Sequence, residues 1–176
     1  LESFTFDHAA LGLLLAARAA AGVRVRVLLD GAPVGGLSDQ TRWICQQLHA
    51  AGASNGSGCW FMRSVPAQKI ASRYRYLHAK FAVVDGATLL LGSENFGMRG
   101  MPDDTKADGT YGHRGVLAIL TAPDLVTRAM QIFAAAMGLE PDVLQRDITP
   151  WCPTGCEFGP PPAGFEPATA SGGISY

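Results

Sequence analysis

The chain has 176 residues, of which 48% are hydrophobic and 16% charged, with a net charge of −1 and a pI near 6.5. That is enough chain for one real core, and it is too apolar for a wholly disordered protein. The charge balance argues mildly against a general nucleic-acid binder, which is usually basic.

In chain order, Ser3 to Phe6 reads as the end of a first strand, and Ala9 to Ala21 as a helix stopped by Gly22. Leu11 to Ala21 is apolar, but it is short and carries Arg18, so it is a core helix rather than a membrane span. Glu2 and Asp7 precede it without a basic cluster, which does not suit a signal peptide. Leu1 stands where a complete chain would carry Met, so the start is read as truncated. Val23 to Leu29 alternates and then turns fully apolar, as a strand entering a core does. Gly31 to Gly36 is a loop, and Ser38 can cap a helix through about Ala51. Cys59 to Met62 forms a short strand after a Gly/Ser-rich turn. Leu77 to Val84 is the next strand, Asp85-Gly86 a hairpin turn, and Thr88 to Leu91 the returning strand. An irregular stretch follows to Gly112, then a strand at Val116–Leu120 and a helix from Pro123 to Met137.

Strands alternating with helices predict an α/β fold, a mixed β-sheet sandwiched by helices. Residues 1–148 form one domain. From about Thr149, Pro, Gly, Ala and Ser dominate and periodicity ends, so 149–176 reads as a disordered tail. Cys45 and Cys59 read as small core residues. Cys152 and Cys156 suit a local disulfide better than a zinc site, because no second ligand pair accompanies them.

One stretch carries chemistry: His78-Ala-Lys80, then Asp85, then Gly92-Ser93-Glu94-Asn95. Residues two apart on a strand share a face, so His78 and Lys80 point the same way. A neutral imidazole serves as nucleophile or proton carrier near neutral pH. An ammonium with three donors suits a phosphate oxygen. Gly92 lets a substrate approach the backbone, and Ser93 and Asn95 offer neutral hydrogen bonds to anionic oxygens. Structural roles compete with these. Asp-Gly is the commonest two-residue hairpin connection, so turn and chemistry weigh equally at Asp85. Ser93 and Asn95 could merely cap the segment that follows. Arg73-Tyr74-Arg75-Tyr76 runs into the motif strand, either as the approach for an anionic substrate or as a wet, charged strand face.

The pattern His-x-Lys-(x)4-Asp-(x)6-Gly-Ser-x-Asn resembles the signature of the phospholipase D superfamily. All six defining positions are filled, and the likeness runs from about Glu2 to about Leu139. The resemblance implies a phosphodiesterase that needs no metal or other cofactor. One histidine attacks phosphorus to form a phosphohistidine, and a second protonates the leaving alcohol. By position, His78 would be nucleophile or acid/base, and Lys80 and Asn95 phosphate ligands. Ser93 and Gly92 would form the phosphate loop, and Asp85 would be the carboxylate that orients a histidine. Two positions depart from the pattern. Glu94 sits where a small or apolar residue is usual, and it is expected to point away from the phosphate or to meet an arginine. His113-Arg114-Gly115 occupies a place where some members carry an acid, which leaves the replacement for that carboxylate open.

The motif occurs once. His8 and His49 are each followed by Ala-Ala, and His113 by Arg-Gly. The resemblance therefore asks for a second motif copy, from a homodimer partner or from a missing half of a longer chain. The expected substrate is a phospholipid, with hydrolysis or transfer of its head-group ester. The alternatives are an endonuclease acting on DNA or RNA as a dimer, and an inactive half that only binds an anionic ligand or a partner chain.

Overall fold

A computed structural model describes residues 1–62, 71–101, 113–138, 143–145 and 159–168. Its strands are β1 (Glu2–Ser3), β2 (Arg26–Asp30), β3 (Gly58–Met62), β4 (Lys80–Val84), β5 (Thr88–Gly92), β6 (Leu117–Leu120) and β7 (Val143–Gln145). The helices are α1 (Ala9–Ala20), α2 (Asp39–Gly52) and α3 (Pro123–Met137). The strands form one mixed sheet in the order β6-β5-β4-β1-β2-β3-β7. β1, β2 and β3 run parallel, and every other pairing is antiparallel.

Alternation along the strands sorts the core into two layers. Val27, Leu29 and Phe61 face one way and pack with Ile44, Cys45 and Leu48 of α2 and with Ala19 of α1. Leu28 and Met62 face the other way and meet Ala136 of α3, while Phe81 and Leu89 meet its Val126 and Ala129. Helices on both faces thus close the expected sandwich. α1 buries Ala9, Gly12, Ala16 and Ala19 as a small-residue stripe, which lets α2 approach closely. A Cβ on Gly12 would lie 2.7 Å from the Ile44 side chain. Ser38 caps α2 by accepting from the Thr41 amide, as its position predicts. His8 caps α1 with Nδ1 and meets the Met101 carbonyl with Nε2, so both ring nitrogens are engaged in structure.

Several expectations shift. Cys45 and Cys59 are more than core residues: they form a disulfide between α2 and β3, with Cα atoms 5.6 Å apart. The helix face and the strand each read as apolar separately, and only their packing shows the pairing. Cys152 and Cys156 lie outside the described residues. In the expected tail, residues 159–168 are described, and Gln40 of α2 exchanges two hydrogen bonds with the Ala168 backbone. The motif strand begins at Lys80 rather than Leu77. β1 ends opposite Lys80, so the preceding residues have no ladder partner. Side chains take their backbone groups instead. Asp30 Oδ2 accepts from the Leu77 amide at 2.7 Å, and Lys80 Nζ donates to the His78 carbonyl at 2.7 Å. Among the described residues, no helix is long and apolar enough to cross a membrane.

Candidate functional site

The site lies where β1 and β2 end, β4 begins, and β5 gives way to its Gly92-Ser93-Glu94-Asn95 loop. Asp30 fixes the approach to β4, binding the Leu77 amide with one oxygen and the Ala32 amide with the other. This buried acid positions His78 through the backbone. Its sequence signal is the Leu28-Leu29-Asp30 ending, a carboxylate closing an apolar strand.

His78 is exposed, and its ring lies 5.0 Å from the Phe4 ring, which in turn meets Tyr76 edge-on at 6.1 Å. Lys80 is only 6% exposed, with Nζ 5.9 Å from the Phe4 ring centre. Burial lowers its pKa, and the field of Glu94 raises it in part. Among the described residues its ammonium has one acceptor, the His78 carbonyl, so two donors remain for an anion.

The loop after β5 is tied down on both sides. Ser93 exchanges bonds with Val116: its amide donates to the Val116 carbonyl, and its Oγ accepts from the Val116 amide, both at 3.0 Å. Phe96 bridges to Phe6, and its carbonyl accepts from the amides of Asp7 and His8. Asn95 is held between these ties. Its buried Oδ1 has no hydrogen-bond partner among the described residues. An orphaned amide end in a buried position is costly unless a ligand completes it. Half a turn of that amide would present NH2 donors to an anion instead.

Among the described residues Glu94 meets a histidine rather than an arginine. Its Oε2 lies 3.2 Å from His113 Nδ1, and its charge acts on Lys80. Room for it comes from two glycines: a Cβ at Gly115 would fall 2.3 Å from its Cγ, and one at Gly100 would fall 2.8 Å from its Cβ.

The structure does not bring Asp85 to these groups. Asp85 and Gly86 occupy the hairpin turn after β4, with φ of 52° and 65°, and Ala87 donates to Val84 across it. Five residues of extended chain at ~3.3 Å each put Asp85 roughly 16 Å from Lys80. It lines a separate cavity of about 590 Å³ with Arg18, Arg24, Arg26 and Met130. Asp85 thus sits in the turn, at the far end of β4 from His78 and Lys80 of the same chain.

A second cavity, of about 360 Å³, adjoins the site and is lined by Glu2, Arg73, Tyr74, Tyr76, His78 and Ile132, among others. Arg73 is committed there, donating from both terminal nitrogens to the Ala135 and Ala136 carbonyls at the end of α3. Tyr74 and Tyr76 stay exposed, and the Arg75 guanidinium lies 5.6 Å from the Tyr76 ring centre. The 73–76 segment is not a strand. Among the described residues, no group of three or more His, Cys, Asp or Glu side chains is placed to hold a metal.

The sequence profile of a family described as "Cardiolipin synthase, PLD-like domain" matches residues 1–137. The chain belongs to this phospholipase D-like family. Solved structures agree on the fold of this phospholipase D-like domain. NucT from Helicobacter pylori superposes with a TM-score of 0.58 at 15% identity, covering 82% of this chain and 79% of that one. A phospholipase D family member, Nuc from Salmonella typhimurium, gives 0.50 at 18% identity, covering 76% and 73%. At these identities the likeness is one of fold. No curated protein compared matches the phospholipase D-like chain.

Proposed function

We propose that this phospholipase D-like domain cleaves phosphodiesters through a phosphohistidine on His78, and that a phospholipid is its first substrate. The supporting observation is the pairing of an exposed imidazole with a buried, desolvated ammonium that has donors to spare. A buried charge without a full set of partners is expensive, and an anion at that point repays it. His78 attacks phosphorus, a P–N bond forms, and the P–O bond to the leaving alcohol breaks. Lys80 and the Asn95 amide hold the non-bridging oxygens as charge builds on them. Ser93, with Oγ accepting from Val116, keeps its hydroxyl proton for an anionic oxygen and fixes the loop. Water then attacks phosphorus and frees the imidazole; an alcohol in its place makes the reaction a transfer. The second proton carrier is another motif copy, from a paired chain or from another part of a longer polypeptide.

The family description names cardiolipin synthase, and the net charge of −1 suits a lipid better than a polyanion. Phe4, Tyr76 and Tyr74 beside His78 offer apolar surface to a glycerol or acyl segment. Nucleic acid is the second reading, since the same tyrosines and Arg75 could take a stacked base.

The test uses EDTA throughout. Vesicles of phosphatidylcholine and phosphatidylglycerol are compared with single- and double-stranded DNA, and phosphate label on protein is trapped by rapid quench. Release of head-group alcohol with acid-labile label, both lost in His78→Ala, is the expected result. Salt-sensitive cleavage of DNA alone would move the assignment to a nuclease. Turnover of any substrate by His78→Ala, or a folded protein that turns over none, would overturn the proposal.

A further inference from the structure

β1 stands between β4 and β2 and has two residues, whereas those neighbours have five each. A central strand shorter than both of its partners leaves a gap in the sheet, and the register locates it. Glu2 stands opposite Leu28 of β2 and Phe81 of β4. Counting back along β1, Leu1 falls level with Val27 and Ala82. The position before it falls level with Arg26 and Val83, and the one before that with Val25 and Val84. Among the described residues no strand occupies those two positions. The facing edges of β2 and β4 line the cavity of about 590 Å³ instead, with Val25, Arg26, Val83 and Val84 on its walls.

The slot is polar along its edges and apolar above and below. Leu1 bridges β2 as a parallel strand does: its nitrogen donates to the Arg26 carbonyl at 2.8 Å, and its carbonyl accepts from the Leu28 amide at 2.9 Å. Parallel pairing repeats this bridge every two residues, so the Arg24 carbonyl and the Arg26 amide come next and point into the slot. Backbone groups inside a sheet call for backbone partners. Leu15, Val25 and Ala82 belong to the core layer under α1 and α2, and Val83 and Phe133 to the layer under α3. Apolar walls on both faces suit a strand that carries apolar side chains in succession. The Leu1 nitrogen agrees: burial pushes an amino group there from 8.0 down to about 5, whereas a peptide N–H has no charge to desolvate. Arg18, Arg24 and Arg26 also line the cavity, with Asp85 among them. They suit a small anion with an apolar tail, but such a ligand would leave both strand edges unpaired and would face the Asp85 carboxylate.

We propose that the slot takes an extended segment of the same polypeptide lying upstream of Leu1, which continues β1 between β2 and β4. The two positions nearest Leu1 carry apolar side chains, the first packing toward Phe133 and the second toward Leu15. Completing β1 ties β2 to β4 along their length, and it anchors the segment that brings Phe4 to the His78 ring.

The experiment compares three proteins: residues 1–176, the same chain with the short run its gene encodes directly ahead of Leu1, and the same chain with a Gly/Ser run of equal length there. Amide hydrogen exchange is read at Arg26, together with binding of anilinonaphthalene sulfonate, an anionic apolar dye. The encoded run should slow exchange at Arg26 by roughly 100-fold or more and exclude dye that residues 1–176 bind. The Gly/Ser run, with no side chains to bury, should do neither. Unchanged exchange at Arg26 with the encoded run, or equal slowing with the Gly/Ser run, would overturn the proposal. Dye bound as well with the encoded run as without it would assign the cavity to a small anionic ligand. A gene whose first codon is that of Leu1 would overturn the proposal outright.

Discussion

Two residues carry ionisable groups into partly desolvated places, and their signs are opposite. Lys80 loses proton affinity on folding, chiefly by desolvation. Its charge therefore opposes the folded state until pH rises past its folded pKa, and an anion at the site removes that opposition. Glu2, 3% exposed, is the converse case. Burial raises its pKa from 4.5 to about 7, while the Leu1 amino group and Arg73 pull weakly the other way. Its Oε2 has no hydrogen-bond partner among the described residues. Between pH 4.5 and about 7 the folded chain holds this proton and the unfolded chain does not. Stability from this group is therefore full at low pH and is lost as pH rises through that window. Glu2→Gln should remove that slope and stabilise the protein at pH 8, by at most about 3 kcal/mol. Urea midpoints at pH 5 and pH 8 check it. A wild-type stability that rises from pH 5 to 8 in parallel with the variant's would show that the carboxyl ionises freely in the fold.

At the level of elements, β4 and its turn separate two roles that share one motif. His78 and Lys80 stand at the start of the strand, and Asp85 at its far end. Positive φ at Asp85 and Gly86 is a conformation that Asp and Asn tolerate better than most side chains, and that Gly adopts freely. Asp85→Asn should therefore keep the turn and leave kcat/KM within about threefold of wild type, whereas Asp85→Val should lower stability by roughly 1–2 kcal/mol. A hundredfold loss of activity in the Asn variant at unchanged stability would return the carboxylate to the chemistry. The sequence could announce this hairpin because an Asp-Gly turn between apolar runs is a local signal. It announced the Ser38 cap and the α3 start at Pro123 for the same reason. It could not announce that β4 starts at Lys80, because that boundary depends on β1 ending opposite it and on Asp30 claiming the Leu77 amide. The Cys45–Cys59 bond was hidden likewise, since residues 14 apart in sequence meet only once α2 lies on β3.

For the molecule as a whole, periodicity predicted a sheet between helix layers, and motif spacing predicted which end of it holds the chemistry. What spacing could not show was a contact between two positions that each departed from the pattern. Glu94 alone reads as a repulsive intruder, and His113-Arg114-Gly115 as a place that lacks an acid. Together they set the Glu94 carboxylate 3.2 Å from His113 Nδ1, in the space that Gly115 leaves open. How many chains make one site turns on the single motif copy instead. A site shared by two copies needs both His78 rings, so every pair containing one His78→Ala chain is dead. Adding a roughly tenfold excess of His78→Ala to wild type should therefore lower the wild-type rate as mixed pairs form, provided the mixture is held long enough for chains to exchange. A rate that stays unchanged, with specific activity constant on dilution, would mean that one chain completes the site by itself.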